Sequence, residues 1–186
     1  PGTVPPIHPD RPTWVFGMGS VRHGSLRQLG RWAVLAGHSM KPEPANAHGP
    51  VPHLGDINDV PNCIKEIHAS GKPDNKYPGK PMNENSPVVK FAKKFFSDGN
   101  MAALLAGSCP DGFDAEDKTV ARQLKSLKFT APIGLAKASE RIDATASMSL
   151  DEGLQLELQG LDRIFSTEDA LEGLSALIEG RRATYK

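Results

Sequence analysis

Two closely spaced glycines near the start of the chain are the first residues whose pattern could do chemistry. Gly17 and Gly19 lie in the run FGMGS at 16–20, and the exposed amides of such a turn could hold an anion. A dinucleotide-binding loop needs G-x-G-x-x-G, and the next glycine here, Gly24, is misplaced for that motif. The chain also lacks the Gly-Lys-Ser/Thr of a phosphate-binding P-loop. An ordinary turn is therefore favoured over a ligand loop.

The histidines and cysteines do not follow the spacings of metal or nucleophile sites. His48 and His53 are separated by two prolines, which suits no pair on one helix face, and neither C-x-x-C nor H-E-x-x-H occurs. Cys63 and Cys109 stand in no recognisable nucleophile motif, and two cysteines cannot form a disulfide framework. We therefore expect no metal, and a reducing compartment.

Lysines cluster in the second half of the chain. Lys93 and Lys94 form a pair, and Lys118, Lys125 and Lys128 lie in a helical pattern. Such sets usually form solvated helix faces. That interpretation is favoured here, with anion binding as the alternative.

Composition excludes several broad classes of protein. The 186 residues are 38% hydrophobic and 24% charged, which is enough apolar material for a folded core. Lys plus Arg and Asp plus Glu both total 22, so the basic excess typical of nucleic-acid binding is missing. No apolar run approaches the roughly 20 residues of a membrane-spanning helix. We expect neither nucleic acid nor membrane as a partner. Because the chain opens with Pro-Gly-Thr, we expect a piece of a longer protein.

Proline placement predicts a loop-rich first half and a helical second half. Fourteen of the 16 prolines lie at or before residue 87, and proline disrupts helix interiors. A loop is predicted at 38–52, and short strands at 13–16 and 51–54. Apolar spacing and cap residues predict helices at 25–36, 63–68, 87–96, 101–105, 132–145, 149–165 and from 167 onward. A further helix, capped by Asp114, carries Val120, Leu124 and Leu127 on one face. Ser149 and Glu152 form a capping-box pattern.

The last 55 residues resemble a known family. The runs APIGLAK at 131–137 and SLDEGL at 149–154, followed by Glu157, resemble the closing helices of the enoyl-CoA hydratase (crotonase) superfamily. FSTEDALEGLSA at 165–176 resembles its F-x-T-E-D-x-x-E-G-x-x-A-F signature, and EGRRATY at 179–185 is similar to its E-K-R-x-P/A-x-F/Y ending. Upstream, residues 30–40 and 45–54 resemble the end of the family's core.

The resemblance implies a fold and a division of the chain. The family is α/β, and this chain would be mainly α-helical, comprising the last spiral turn and the C-terminal trimerisation helices. Residues 1–54 would end the crotonase-like core, 55–130 would be an insertion with extra helices, and 131–186 would be the helical oligomerisation region. The insertion resembles that of the 3-hydroxyisobutyryl-CoA hydrolase branch.

The resemblance also implies an activity. The expected enzyme is a lyase of fatty acid metabolism that adds water to, or removes it from, an enoyl-CoA thioester through an enolate held in an oxyanion hole. Coenzyme A would be part of the substrate, and no separate cofactor is expected. By position in the resemblance, Phe165 and Arg182 would meet the adenine and phosphate end of CoA. The alternative is that Phe165 closes an apolar helix stripe and that Arg182 is an ordinary helix-end cation.

The catalytic residues stay unknown at this level, because no glutamate precedes Glu43 and the family's catalytic carboxylates have no counterpart in the matching loop. Two alternatives therefore stay open: a thioester hydrolase of the 3-hydroxyisobutyryl-CoA hydrolase type, or a non-catalytic assembly piece. The implied partners are an acyl-CoA, the N-terminal half of the same protein, and further copies in a homotrimer or homohexamer. The expected location is cytoplasmic, or the mitochondrial matrix in a eukaryote.

Overall fold

A computed structural model of the protein describes residues 26–37, 42–48, 55–71 and 83–185. These ranges are built from α-helices and short 3₁₀ turns, and no β-strand occurs in them. In chain order the helices are α1 (Leu26–Leu35), α2 (Pro42–His48), α3 (Val60–Ser70), α4 (Pro87–Phe95), α5 (Met101–Leu105), α6 (Lys118–Lys128), α7 (Pro132–Ala144), α8 (Leu150–Phe165) and α9 (Glu168–Glu179). No helix in the described ranges has the length and apolarity needed to cross a bilayer.

The prediction of a mainly helical chain is confirmed for the described residues, while the α/β crotonase-like fold stays a prediction. The predicted strands at 13–16 and 51–54 and the glycine-rich turn at 16–20 lie outside those residues. The chain divides into two compact units, one of residues 1–14 and 39–91 and the other of residues 15–38 and 92–186. The domain boundaries predicted at 54 and 130 stay predictions.

One predicted loop contains a helix. The region 38–52 was expected to be irregular because of its prolines, but residues 42–48 form α2. Pro42 and Pro44 both lie in the first turn, where a backbone N–H has no partner inside the helix and its loss costs little. The prediction was wrong because these prolines begin a helix and do not interrupt one.

The predicted cap of α6 was also wrong. Asp117, not Asp114, precedes the helix, and its carboxylate accepts hydrogen bonds from the amides of Thr119 and Val120 at 2.8 and 3.1 Å. The Asp114 carboxylate instead accepts the Glu116 amide at 2.9 Å within the preceding turn. Two aspartates three positions apart can both satisfy local amides, and only the path of the chain decides which of them begins the helix.

Aromatic side chains and α1 form the core of the second unit. Phe95 and Phe96 are fully buried, and the Phe95 ring makes edge-on contacts with the rings of Phe96 and Phe113 at 5.2 and 4.9 Å. Helix α7 packs against α1, α8 and α9, and Ile142 on α7 is buried. This packing holds the C-terminal helices in place.

A buried arginine links α1 to two other parts of this unit. Arg31 is only 2% exposed, yet it carries a charge. Its guanidinium donates to the Phe96 carbonyl at 3.1 Å, to Asp98 at 2.6 Å and to Asp143 on α7. Because a buried charge is costly unless paired, this ion-pair network explains how α1 can carry an arginine on its inner side.

The C-terminal helices begin where the sequence predicts. The Ser149 hydroxyl and the Glu152 carboxylate form the expected capping box, and the Thr167 hydroxyl accepts the Ala170 amide at 3.1 Å. Large apolar side chains nevertheless lie exposed along α8 and α9: Leu154, Leu158, Leu161, Phe165, Leu171, Leu174, Leu177 and Ile178. We call these eight residues the apolar face.

Candidate functional site

The residues after α9 fold back along that helix because it ends at a left-handed glycine. Gly180 has a φ of 68°, a conformation that glycine adopts without steric cost, and the Arg181 amide donates to the Ala176 carbonyl at 3.0 Å. Further along, Tyr185 lies over Gly173, where a Cβ would sit 3.2 Å from the tyrosine oxygen. A glycine at this position on α9 therefore lets the C-terminal tail come close.

Arg181 is held by carboxylates of α9. Its two terminal nitrogens contact the two oxygens of Glu172 at 2.6 and 2.8 Å, and its Nε contacts Glu179 at 2.5 Å. The Thr184 amide donates to the same Glu172 at 2.7 Å. These bonds hold the pKa of Glu172 at about 2, first through the Arg181 hydrogen bonds and next through the Thr184 amide. They raise the pKa of Arg181. Arg181 is thus a structural clamp whose charge is already neutralised.

A groove beside this clamp is unsuited to phosphate. It encloses about 470 Å³ and is lined mainly by charged groups, namely Glu168, Asp169, Glu172, Glu179 and Arg181. Four carboxylates against one guanidinium give a negative surface, and like charges repel. The phosphates of a CoA ester would be disfavoured in this groove.

Arg182 has a different environment from its neighbour. Its side chain is exposed, and the centre of its guanidinium lies 4.8 Å from the centroid of the Phe129 ring, a cation–π contact. Phe129, just after α6, is itself 49% exposed. Within the described part of the chain, no carboxylate pairs with Arg182. The structure therefore leaves Arg182, and not Arg181, able to meet an anion.

Phe165 lies on the surface at the end of α8, 63% exposed. Its side chain follows the exposed leucines Leu154, Leu158 and Leu161 of α8, so in this structure it is not part of a buried core. Among the described residues no ring contact joins Phe165 to Arg182; the ring beneath Arg182 is that of Phe129. The assignment of Phe165 and Arg182 to CoA binding stays a prediction.

Phe129 is the residue that the sequence analysis did not single out. Its ring meets Arg182 through a tertiary contact between residues far apart in the chain, which no local pattern reveals. The one signal available is that an aromatic side chain follows directly on the basic end of α6, after Lys125 and Lys128.

The described residues contain no recognisable catalytic constellation. No group of three or more His, Cys, Asp and Glu side chains in those ranges is arranged to hold a metal ion. Cys63 and Cys109 are free thiols, and the Cys109 sulfur lies 3.6 Å from the Phe113 carbonyl oxygen. The catalytic residues therefore stay unassigned.

Comparison with known proteins shows similarity over about half of the chain. No protein-family model matches the chain, and no solved structure matches it. A stretch of 89 residues, 48% of the chain, is 30% identical to "Enoyl-CoA hydratase, mitochondrial" of Pongo abelii. The match spans 30% of that protein's length. It supports a crotonase-like relationship for that stretch.

Proposed function

We propose that the protein binds acyl-CoA and acts as an enzyme of the enoyl-CoA hydratase type, adding water to an enoyl-CoA thioester or removing it. The observation that carries this proposal is the 30% identity to an enoyl-CoA hydratase over 89 residues. The resemblance of residues 165–185 to the closing segment of the enoyl-CoA hydratases adds support. Within that segment Thr167 caps α9 and Glu172 binds Arg181.

The proposed chemistry needs two things of the enzyme. Fixed donors must stabilise the negative charge that develops on the thioester oxygen, which is usually the largest catalytic contribution. A carboxylate must then move protons between water and the carbons next to the thioester. Neither group is assigned to a residue of this chain, so the proposal concerns the reaction class and the CoA end of the substrate.

CoA binding is proposed to involve Arg182 and Phe165. Arg182 is exposed and has no carboxylate partner in the described residues, so its charge is available for a phosphate group. Phe165 is exposed enough to pack on an adenine, either of the same copy or of a neighbouring one. No metal or separate cofactor is part of this proposal.

Self-association is proposed from the apolar face, and a homotrimer or homohexamer from the resemblance to the enoyl-CoA hydratases. The side chains of the apolar face are unusually exposed for leucine and isoleucine, with Leu177 at 77% and Ile178 at 85%. Several large apolar side chains exposed on two neighbouring helices are typical of contact sites. Further copies of the chain would cover this face, and the N-terminal half of the same protein is a further proposed partner. The proposed location is the cytoplasm, or the mitochondrial matrix in a eukaryote.

A second candidate is a thioester hydrolase of the 3-hydroxyisobutyryl-CoA hydrolase type. The favouring observation is the helical content of the predicted insertion, in which α3 to α6 follow one another between residues 60 and 128. A hydrolase would release free CoA thiol, whereas a hydratase would leave the thioester intact.

Two substrates separate the candidates. The purified protein is incubated with crotonyl-CoA while the enoyl absorbance is followed, and with 3-hydroxyisobutyryl-CoA while free thiol is titrated. Loss of the enoyl absorbance without thiol release is expected. Thiol release from the second substrate alone would replace the hydratase with the hydrolase. Turnover of neither by a protein that still assembles would favour a non-catalytic assembly piece.

A further inference from the structure

One face of α6 carries a row of cations that leads to Phe129. Lys118, Arg122 and Lys125 recur at intervals of four and three residues, and Phe129 follows at four more. At 3.6 residues per turn these four positions share one face. The buried residues Val120, Gln123 and Leu127 take the opposite side of the helix, so the row points to solvent. We call these four residues the basic row.

The cations of the basic row form no ion pairs among the described residues. Helix α6 contains no acidic residue. Within the part of the chain that the structure describes, none of its three cations makes an ion pair or a side-chain hydrogen bond. By contrast, Arg31 and Arg181 in the same unit are each held by two carboxylates. Cations left without partners on one face make a region of positive potential.

The Phe129 ring and the Arg182 guanidinium stacked on it lie at one end of the row, and we call this pair the aromatic platform. Arg182 stacks on Phe129 at 4.8 Å, and Phe129 keeps 49% of its surface exposed. A guanidinium over a phenyl ring is a flat, partly apolar surface on which a purine can pack. From Lys118 to Phe129 the row extends roughly 16 Å at the helical rise of about 1.5 Å per residue.

We propose that the basic row and Arg182 bind the nucleotide end of a CoA ester, an adenosine that carries phosphates on both its 3′ and 5′ sides. The adenine packs against the Phe129–Arg182 pair, and Lys125, Arg122 and the N–H edge of the Arg182 guanidinium bind the phosphates. This inference rests on the proposed acyl-CoA function. It adds Arg122, Lys125 and Phe129 to the expected contacts and identifies which chemical part of the substrate they recognise.

A small polyphosphate fits these observations better than a nucleic acid does. The chain as a whole has no excess of positive charge, with 22 basic and 22 acidic residues, so a long phosphate backbone would gain little beyond this one helix face. Three cations and one aromatic platform within roughly 16 Å match a single nucleotide with a few phosphates.

The test measures the binding of adenosine 3′,5′-bisphosphate to the whole chain by calorimetry at low salt. The double variant Arg122→Gln/Lys125→Gln should bind it about tenfold more weakly, since each charge-assisted contact is lost. The matched control is Lys65→Gln/Lys90→Gln, which removes two exposed lysines of the other unit and changes net charge equally. The control should bind like the unaltered protein.

A third variant tests the platform. Phe129→Leu keeps an apolar side chain but removes the ring, and should weaken bisphosphate binding about fivefold while leaving inorganic pyrophosphate binding unchanged. Absence of bisphosphate binding, or equal weakening in the control, would overturn the inference. So would tighter binding of ADP, or of a single-stranded oligonucleotide, than of the bisphosphate. These binding measurements do not depend on enzyme activity. If the protein turned over crotonyl-CoA but did not bind the bisphosphate as expected, this inference would be wrong and the proposed function would still hold.

Discussion

At the scale of single residues, the two adjacent arginines near the C-terminus differ in what they can do. Arg181 is tied to Glu172 and Glu179, whereas Arg182 rests on Phe129 and keeps its charge available. An ion pair that is already formed must be broken before its guanidinium can bind a ligand. The distinction could not be drawn from the sequence, where both residues occupy the same basic ending.

We predict that Arg182→Gln weakens binding of a CoA ester by about 1 kcal/mol or more, because a charge-assisted bond to phosphate is lost. Folding should change little, since exposed interactions contribute little to stability. Equilibrium binding and urea unfolding would be measured side by side. Arg163→Gln, at another exposed arginine that forms no salt bridge with the described residues, is the control. Unaltered binding of the ester at low salt would show that Arg182 is only a helix-end cation.

The low pKa of Glu172 predicts an acid-sensitive tail. Its folded-state pKa of about 2 lies below the ordinary 4.5, so the folded state favours the charged form. The stabilisation of the tail is therefore complete above pH 4.5 and is lost as the pH falls through about 2. Amide exchange at Thr184, which donates to Glu172, should be slow above about pH 4.5 and accelerate progressively as the pH falls from there towards about 2, after correction for the intrinsic exchange rate.

A matched variant isolates the charge of Glu172. In Glu172→Gln the Thr184 amide should exchange fast at every pH, because the amide side chain no longer attracts Arg181. Exchange at Thr184 that stays as slow in this variant as in the unaltered protein would show that the tail is held by other contacts.

Arg31 joins three parts of the second unit through its buried guanidinium. We predict that Arg31→Leu lowers the free energy of unfolding by about 2 kcal/mol or more, somewhat less than the roughly 3–5 kcal/mol typical of a broken buried pair. The expected cost is smaller than that because Asp98 and Asp143 are partly exposed and can be hydrated once the arginine is gone. Urea unfolding would measure the change. Arg163→Leu, at an exposed arginine, should change stability by less than about 0.5 kcal/mol.

At the scale of elements, the start of α8 depends on two local bonds. The Ser149 hydroxyl accepts the Glu152 amide, and the Glu152 carboxylate accepts the Ser149 amide at 2.7 Å. We predict that Ser149→Ala costs about 1 kcal/mol, the usual worth of an N-cap. Ser97→Ala is the control, because Ser97 precedes a 3₁₀ turn without any side-chain cap bond. Equal losses of stability in the two variants would mean that the capping box contributes nothing measurable.

The elements that the sequence predicted well are those defined by interactions within one helical turn. The caps of α8 and α9, the first-turn proline of α4 and the short helix α5 were all expected from residues a few positions apart. Helix α2 and the cap of α6 were not, because proline or aspartate there is compatible with two local structures. The choice between them depends on the surrounding chain.

At the scale of the whole molecule, the apolar face predicts self-association. We expect the protein to self-associate, because burying this face between copies removes exposed leucine and isoleucine from water, and the proposed relationship to the enoyl-CoA hydratases implies a trimer or hexamer. Leu158→Lys/Leu177→Lys should yield smaller species in sedimentation velocity. The control, Gln155→Lys/Gln159→Lys, adds the same charge at two exposed polar positions of α8 and should leave the assembly unchanged. A monomer of the unaltered protein at micromolar concentration would contradict the proposed assembly.

The sequence by itself determined the helices of the C-terminal region and the resemblance of that region to the enoyl-CoA hydratases. Both depend on apolar spacing, caps and short motifs, which act between residues close in the chain. Only the tertiary structure decided that the leucines of α8 and α9 face outward, that Arg31 is buried among carboxylates and a carbonyl, and that Arg182 meets Phe129. Contacts of this kind join residues far apart in the chain. Which face of a helix is covered, and which of two arginines stays free, depends on how the helices pack against one another.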